Sequence, residues 1–295
     1  MMKDKSIGSK IFDLCNCIVL IALTILCLLP IWYCLMVSVS SKAAIEAGYV
    51  SVYPIGFNLE SYKAIISDSV FFGAAWISVQ RVVLASVVTM VILVLAAYPL
   101  SKAKRQFPGR NIIMWIFVFC MLFSGGTIPW YLTLRSYGLI DNVWGLVLGG
   151  GVPISNLILL VNFIKNLPEE LEEAAMIDGA GPWRYLIDIL IHLIKPVLAT
   201  ILLFTIVGHW NDFFQGMILS SKLKSYPLQT YVQQMVVSVQ NMSSMSLDQL
   251  ERMSNLNNKS LNTAKIFVTM IPVLLIYPFL QRYFVKGITL GSVKG

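Results

Sequence analysis

The sequence predicts an all-α, polytopic membrane protein with six transmembrane helices and a helical elbow on the cytoplasmic side. Of its 295 residues, 57% are hydrophobic and only 13% are charged, a balance that is not typical of soluble domains. Apolar stretches of about 20 residues, the length that crosses the hydrocarbon core of a bilayer, recur along the chain. The net charge of +7 lies mainly beside these stretches, as expected when Lys and Arg set the orientation of the spans.

The predicted chain has a cytoplasmic N-terminus (residues 1–17), a six-helix transmembrane domain (18–284) and a cytoplasmic tail (285–295). The transmembrane domain includes a cytoplasmic loop at 165–196 and an external loop at 220–262. The spans are predicted at about residues 18–39, 82–100, 112–132, 143–164, 197–219 and 263–284. Basic residues of the short loop between the second and third spans, among them Lys102 and Lys104, place that loop in the cytoplasm.

Arg81 lies just before the apolar run of the second span. A guanidinium at the centre of a bilayer is energetically costly. We therefore expect Arg81 at the outer interface, with its side chain extending towards water.

Glycine and proline interrupt the third and fourth spans. Residues 125–129 read Gly-Gly-Thr-Ile-Pro, and the fourth span contains three glycines at 149–151 followed by Pro153. In the third span these residues mark either the line of a cavity or a simple proline kink, and the sequence leaves both open. For the fourth span we predict an unwound outer half.

Polar residues within the fourth and fifth spans are candidates for the substrate pathway, because buried groups of this kind face a water-filled cavity or a partner subunit. The candidates are Asn156, Trp210, Asn211, Asp212 and Gln215. A hydrogen bond between helices explains Asn156 equally well, and aromatic residues at span ends are common at membrane interfaces. Asp212 is the one acidic residue within a predicted span.

The most polar stretch, residues 168–196, separates the fourth and fifth spans. Asn166 and Glu169 have the spacing of a capping box, and glutamates crowd the first turn. Asp178-Gly179 predicts the end of this helix, and Gly181-Pro182 predicts the start of a second one. We expect a helix, an elbow and a helix, with a small-residue face that docks into a groove on another protein.

This stretch resembles the cytoplasmic loop of the inner-membrane subunits of bacterial ABC importers. That loop has the pattern E-A-A, three residues, G, nine residues, I, one residue, L-P, and here Glu173-Ala174-Ala175, Gly179 and Ile189 occupy the corresponding positions. Ile191-His192 replaces the L-P pair, with Pro196 later. The resemblance implies that a small set of residues docks onto a cytoplasmic ATPase: Glu172, Glu173, Ala174, Ala175, Asp178 and Gly179.

The tail carries a second resemblance, to the ending of the maltose-type carbohydrate permeases, particularly the second of their two permease subunits. Gln281-Arg282, the V-x-G-x-T string at 285–289 and the final Val293-Lys294-Gly295 match that ending. Trp210-Asn211 followed by Phe213 is also similar to the fifth-span string of the family. Length and loop sequence are most similar to the branch of oligosaccharide and aldouronate permeases, the LplC-like group.

The family resemblance implies a non-catalytic permease that imports a carbohydrate, most simply an oligosaccharide, through a bacterial cytoplasmic membrane. Its partners would be a second permease, two cytoplasmic ATPases, an extracytoplasmic solute-binding protein and membrane lipid, with no nucleic acid. ATP and Mg would bind on the ATPases, and this chain would bind no cofactor or metal. The binding protein would contact loop 220–262. Tail residues would contact the ATPases, namely Thr289, Gly291, Val293, Lys294 and Gly295.

The residues also indicate that any energy for transport comes from another protein. The chain has no G-x-x-x-x-G-K-[ST] nucleotide motif, and its two histidines lie on different elements. A self-sufficient ion-coupled carrier or channel is the alternative, although such carriers usually have more ionisable groups within their spans. An intramembrane enzyme ranks last, because the spans lack a nucleophile–base pair.

Overall fold

The computed structural model describes residues 7–241 and 259–292. Within these residues the regular structure is helical and no strand occurs. The chain divides into two compact units. The first unit comprises residues 1–69 and 234–271, and the second comprises residues 70–233 and 272–295.

The helices before the elbow are α1 (Ile7–Ser38), α2 (Lys42–Glu46), α3 (Glu60–Ile66), α4 (Ser69–Ser101), α5 (Arg110–Leu122), α6 (Thr127–Ser136), α7 (Val143–Leu148) and α8 (Ile154–Lys165). The elbow and the remaining helices are α9 (Glu170–Ile177), α10 (Pro182–Leu193, with a π-helical segment at Tyr185–Leu190), α11 (Lys195–Asn211), α12 (Phe214–Leu219), α13 (Leu228–Asn241) and α14 (Lys259–Ser292).

The first unit joins the end of α1 to the start of α14. Apolar side chains at the end of α1 pack against Ile45 of α2 and against Val50. The hydroxyl groups of Ser61 and Ser260 lie 2.9 Å apart, and the Lys265 ammonium donates to the Asp68 carboxylate at 2.5 Å. The apolar window of α1, in contrast, is 0% buried within the chain, which is typical of a helix that faces lipid.

The second unit has its core where α4, α8, α10 and α11 meet. Small and branched residues at helical spacing face one another there and exclude solvent. Side chains that are 0% exposed come from all four helices: Leu93, Ala97, Leu157, Leu160, Val161, Leu190 and Ile201. This packing places the elbow at one end of a well-packed bundle.

The number of long apolar helices is smaller than the number of predicted spans. Within the described residues, three helices are long and apolar enough to cross a membrane by themselves, namely α1, α4 and the Lys259–Pro278 part of α14. Two bent pairs bring the number of candidates to five, with bends of 113° between α5 and α6 and 77° between α10 and α11. The fourth predicted span falls on α7 and α8, of which the longer has 12 residues. The count of six crossings therefore stays a prediction.

Two span predictions are wrong in detail. The second span belongs to a helix that begins at Ser69, so Arg81 lies inside that helix. The fifth ends at Asn211, and a new helix follows after two residues. The predicted interruption of the third span is confirmed, because the chain leaves the helix between Leu122 and Thr127. The predicted unwinding at residues 149–153, between α7 and α8, is confirmed.

Candidate functional site

The elbow is built by α9 and the start of α10. Three glutamates occupy the first turn of α9, where the helix dipole favours negative charge. The chain turns at Gly179, whose φ of +80° glycine adopts at little cost. The Ala180 N–H donates to the Ala175 carbonyl at 2.9 Å, and the Gly179 N–H donates to the Met176 carbonyl at 3.0 Å. These two bonds form a Schellman motif, so the predicted helix stop is confirmed.

The start of α9 differs from the prediction. Asn166 does not cap this helix. It closes α8, where its N–H donates to the Phe163 carbonyl at 3.2 Å. Glu169 is the N-cap residue of α9 and makes no side-chain capping bond. The second helix of the elbow does begin at Pro182, as predicted.

The elbow presents an apolar tip with an acidic flank. Ile177 at its tip is 86% exposed, and Trp183 is 67% exposed. Large exposed apolar side chains outside a span mark a surface for contact with another protein. The predicted docking residues that lie on this exposed surface are Glu173, Ala174, Asp178 and Gly179.

The other two predicted docking residues, Glu172 and Ala175, face the body of the second unit. Ala175 is 6% exposed and belongs to the core. Glu172 forms a salt bridge with Lys102 at the end of α4 and accepts a hydrogen bond from the Tyr98 hydroxyl at 3.3 Å. The Lys102 ammonium lies 4.1 Å from the centroid of the Tyr98 ring, a cation–π distance. We call these three residues the mount, because they fix the elbow to α4.

The exit from the elbow does without the L-P pair of the family pattern. Ile191-His192 lies in the last turn of α10, with the His192 side chain exposed. Pro196 comes in the first turn of α11, where a proline leaves no hydrogen bond unmade. The bend between the two helices follows at Ile194, between Leu193 and Lys195.

A polar cavity of about 210 Å³ lies in the second unit, at two helix breaks. Residues of the unwound segment 149–153 form one side of it, and Asp212, at the break between α11 and α12, forms another. Asn156, His209 and Gln215 also line it. Three of the five predicted pathway residues are therefore brought together around one space.

Trp210 and Asn211 are not among the residues that line this cavity. Trp210 is 7% exposed. The Asn211 amide oxygen accepts a hydrogen bond from the Gln229 amide at 3.5 Å. The predicted polar string 210–212 is therefore split, with only Asp212 at the cavity.

Arg81 bonds to both helix breaks, the one after α7 and the one between α11 and α12. The prediction that its side chain extends towards water is wrong. Arg81 is 0% exposed. Its Nε donates to the Leu146 carbonyl at 3.2 Å, and its Nη1 donates to the Asp212 carbonyl at 2.9 Å. Its Nη2 donates to the Asp212 carboxylate at 2.5 Å and to Gln215 Oε1 at 2.8 Å.

These bonds have a physical cause in the helix breaks. The last carbonyls of a helix have no partner within it, and water is scarce at membrane depth. The guanidinium has five donors in a rigid fork and can satisfy several acceptors at once. Sequence reasoning did not find this pairing, although one base and one acid near apolar spans were a signal for it.

A second carboxylate, Asp141, organises the loop after α12. It lies in the left-handed region, with φ of 55°, and accepts from the N–H and the hydroxyl of Ser221 at 2.7 and 2.5 Å. Hydrogen bonds from Ser221, together with those from Ser225 and Lys222, lower the pKa of Asp141 to about 2. The carboxylate is therefore ionised at any pH above about 4, and it ties the start of loop 220–262 to the segment before α7.

The remaining predicted contacts lie at or beyond the limits of the described residues. Thr289 and Gly291 belong to the last turns of α14. Val293, Lys294 and Gly295 lie outside the described residues, as do residues 242–258 of the predicted external loop.

Long apolar helices, broken helices around a polar cavity and an exposed elbow together define a membrane permease. The chain belongs to the family of binding-protein-dependent transport system inner membrane components, whose model matches residues 69–290. It is thus a permease subunit of an ABC importer, and its similarity extends well beyond the short elbow motif.

Two curated relatives and one solved structure are similar over nearly the whole chain. Protein LplC of Bacillus subtilis (strain 168) is 36% identical, covering 98% of this chain and 96% of LplC. The polygalacturonan/rhamnogalacturonan transport system permease protein YtcP of the same organism is 34% identical, covering 97% and 99%. The crystal structure of a bacterial ABC transporter involved in the import of the acidic polysaccharide alginate aligns with a TM-score of 0.84 at 31% identity, covering 96% of this chain and 100% of that one.

These similarities confirm two of the sequence predictions. The resemblance to the LplC-like branch of carbohydrate permeases is confirmed. The fold class, an all-α membrane protein with the fold of a type I importer permease, is confirmed as well.

Proposed function

We propose that this chain forms half of the translocation pathway of an ATP-driven importer of oligosaccharides, and that its cargo is acidic. Of the three similar proteins described above, the two whose names specify a cargo, polygalacturonan/rhamnogalacturonan and alginate, handle polysaccharides that carry carboxylates. The observation that carries the transport mechanism is the elbow, which is exposed at its tip and held by the mount at its base.

Under this proposal the elbow docks into a surface groove of a cytoplasmic ATPase. Ile177 and Trp183 would fill apolar pockets, and Glu173 and Asp178 would face basic residues of the partner. ATP and Mg would bind on two such ATPases, since the chain itself has no phosphate-binding loop. The chain would hold no cofactor.

The contact of the elbow with the bundle supports transmission of force. Movement of the elbow reaches the spans only through packed groups with little freedom to yield. The Glu172–Lys102 pair leads to α4, and the core around Leu190 and Ile194 leads to α11. We propose that closure of the ATPases moves these two helices and thereby switches the cavity between the two sides of the membrane.

The proposed assembly places the chain in a bacterial cytoplasmic membrane with both termini in the cytoplasm. A second permease would complete the pathway, and lipid would surround the spans. A solute-binding protein would deliver the cargo to loop 220–262, whose start Asp141 holds. The tail residues Thr289 to Gly295 would contact the ATPases on the cytoplasmic side.

The test is to express the chain with its cognate permease, ATPases and binding protein, and to follow uptake of a labelled acidic oligosaccharide such as digalacturonate. Gly179→Asp and Glu173→Lys should leave membrane insertion intact and abolish uptake. Co-purification of an ATPase with the wild-type chain, weakened by both variants, would support docking through the elbow. Uptake by the purified chain alone under an ion gradient would contradict the proposal and favour a self-sufficient carrier.

A further inference from the structure

The cavity at the helix breaks has a defined arrangement of polar groups. Its lining includes Thr89, Gly150, Asn156, His209, Asp212 and Gln215. Its volume of about 210 Å³ is below the roughly 300 Å³ at which pockets for drug-sized ligands begin. One small cyclic unit fits such a space, and a whole oligosaccharide does not.

Gln215 presents its donor end to this space. Arg81 has only donors, so the side-chain atom of Gln215 that receives the Arg81 Nη2 hydrogen bond at 2.8 Å is the amide oxygen. The amide nitrogen of Gln215 then points away from Arg81, towards the unwound segment. It would come within 3.4 Å of a Cβ placed on Gly150 in the unwound segment. Arg81 is therefore a positioning residue for this donor.

Two further polar side chains at the cavity have no internal partner. His209 Nδ1 is buried and accepts or donates no hydrogen bond within the described residues. The Asn156 side-chain amide likewise makes no hydrogen bond to the described part of the protein, where only its backbone N–H is bonded, to Pro153. A buried polar group without a partner is unfavourable. A hydroxyl-bearing ligand would complete the Asn156 amide directly, and the His209 imidazole once its ring turns Nδ1 towards the cavity that it lines.

The charge of the cavity indicates which part of a sugar it receives. None of its lining residues, all of which belong to the described chain, is Lys or Arg. The nearby Arg81 guanidinium is 1% exposed and already paired with Asp212, whose carboxylate is 24% exposed. A ligand carboxylate would find no free cation there to pair with, because Arg81 already pairs with Asp212, whereas a ligand hydroxyl can donate to the exposed part of the Asp212 carboxylate.

We infer that this cavity is a subsite, within this subunit, for one hydroxyl-bearing sugar unit, which it contacts through its uncharged groups and not through a carboxylate. Gln215 donates from its amide nitrogen, Asp212 accepts, and Asn156 and His209 complete the set. The inference rests on the proposed function. It also implies that the acid groups of the cargo are recognised by other parts of the importer.

The test uses the full importer, held with a non-hydrolysable ATP analogue after delivery by the binding protein, and counts the labelled sugar that stays bound. The probes are digalacturonate and its dimethyl ester, each at a concentration that saturates the binding protein, so that delivery does not limit retention. His209→Phe and Asn156→Leu each remove an unpartnered polar group and break no internal hydrogen bond. We expect each to lower retention about tenfold, the effect of losing one hydrogen bond to ligand, without lowering the melting temperature. His192→Phe, at the other histidine of the chain, is the matched control and should retain sugar normally.

The outcomes separate the inference from the proposed function. Retention of the ester at least as well as the acid, with loss in both cavity variants, supports the inference. Normal retention by both variants, or uptake by the wild type without any retention, overturns the subsite alone. Retention of the acid but not of the ester overturns the uncharged character of the contact. Uptake of neither probe by the full importer overturns the proposed cargo, and the subsite falls with it.

Discussion

At the scale of single residues, Arg81 shows how a membrane protein accommodates a charge that its surroundings disfavour. Moving a guanidinium out of water is costly. Here the cost is offset by the Asp212 carboxylate and by two main-chain carbonyls, those of Leu146 and Asp212. Charge-assisted bonds of this kind are among the strongest in proteins. The Arg81 guanidinium therefore neutralises the Asp212 carboxylate and also satisfies one carbonyl group at each of the two helix breaks.

Removing the guanidinium should destabilise the protein strongly. Arg81→Met leaves the partly buried Asp212 carboxylate unpaired and two carbonyls unsatisfied, and we expect a loss of about 3–5 kcal/mol. The measurement is the thermal unfolding of the purified importer. Arg135→Met, at an exposed arginine, is the control and should change little. Equal melting temperatures for the two variants would show that the hydrogen bonds of Arg81 to the two helix breaks do not stabilise the protein.

Gly179 gives a second prediction at the same scale. A Cβ there would meet nothing within 4 Å, so the penalty for a side chain comes from its φ of +80° alone. We expect Gly179→Val to cost about 1–2 kcal/mol and to reduce uptake several-fold by tilting the tip of the elbow. Gly181→Val is a close control, because Gly181 is extended, with φ of −69°, and equally open. Identical uptake by the two variants would contradict the role of the turn.

At the scale of elements, the mount connects the elbow to the end of α4. The Lys102 and Glu172 side chains are only 15% and 21% exposed, so their attraction is less screened than that of a surface pair. The aromatic ring of Tyr98 lies beside both. Without this pair, only the covalent chain and the apolar core would join the elbow to the bundle. With it, we expect the elbow to move together with α4.

A charge exchange tests this connection. Glu172→Lys places two cations together and should lower uptake at least about tenfold, while ATP hydrolysis by the assembled complex persists. The double variant Lys102→Glu with Glu172→Lys restores opposite charges and should recover much of the uptake. Glu170→Lys, at an exposed glutamate two positions earlier on the same helix, is the control. A double variant no better than the single one would exclude the pair as a mechanical link.

How far the sequence predicted these elements depended on the range of the interactions. The stop at Gly179, the start at Pro182 and the unwinding near Gly150 were predictable, because each is encoded by neighbouring residues. The role of Asn166 was not predictable in this way. The sequence offered it as the N-cap of α9, but Asn166 closes α8 instead. Arg81 was misplaced because its acceptor Asp212 lies 131 residues away and cannot be inferred from local composition.

At the scale of the whole molecule, orientation in the membrane is the main open prediction. The basic loop after α4 is expected inside and the loop after α12 outside. The five native cysteines are replaced first, and Lys104→Cys or Lys224→Cys then adds a single exposed thiol. A membrane-impermeant maleimide should label the cysteine at 224 in intact cells and the cysteine at 104 only after permeabilisation. The reverse pattern would invert the chain and exclude docking of the elbow to a cytoplasmic ATPase.

The separation between Arg81 and Asp212 also sets an order in time. A ribosome that adds about 5 to 20 residues per second reaches Asp212 roughly 7 to 26 s after Arg81, because Asp212 follows Arg81 by 131 positions. Throughout that interval the nascent α4 carries a guanidinium whose acidic counterpart has not yet been synthesised. Its early biogenesis therefore depends on lipid headgroups, water or the insertion machinery to shelter the charge until the chain supplies its own anion.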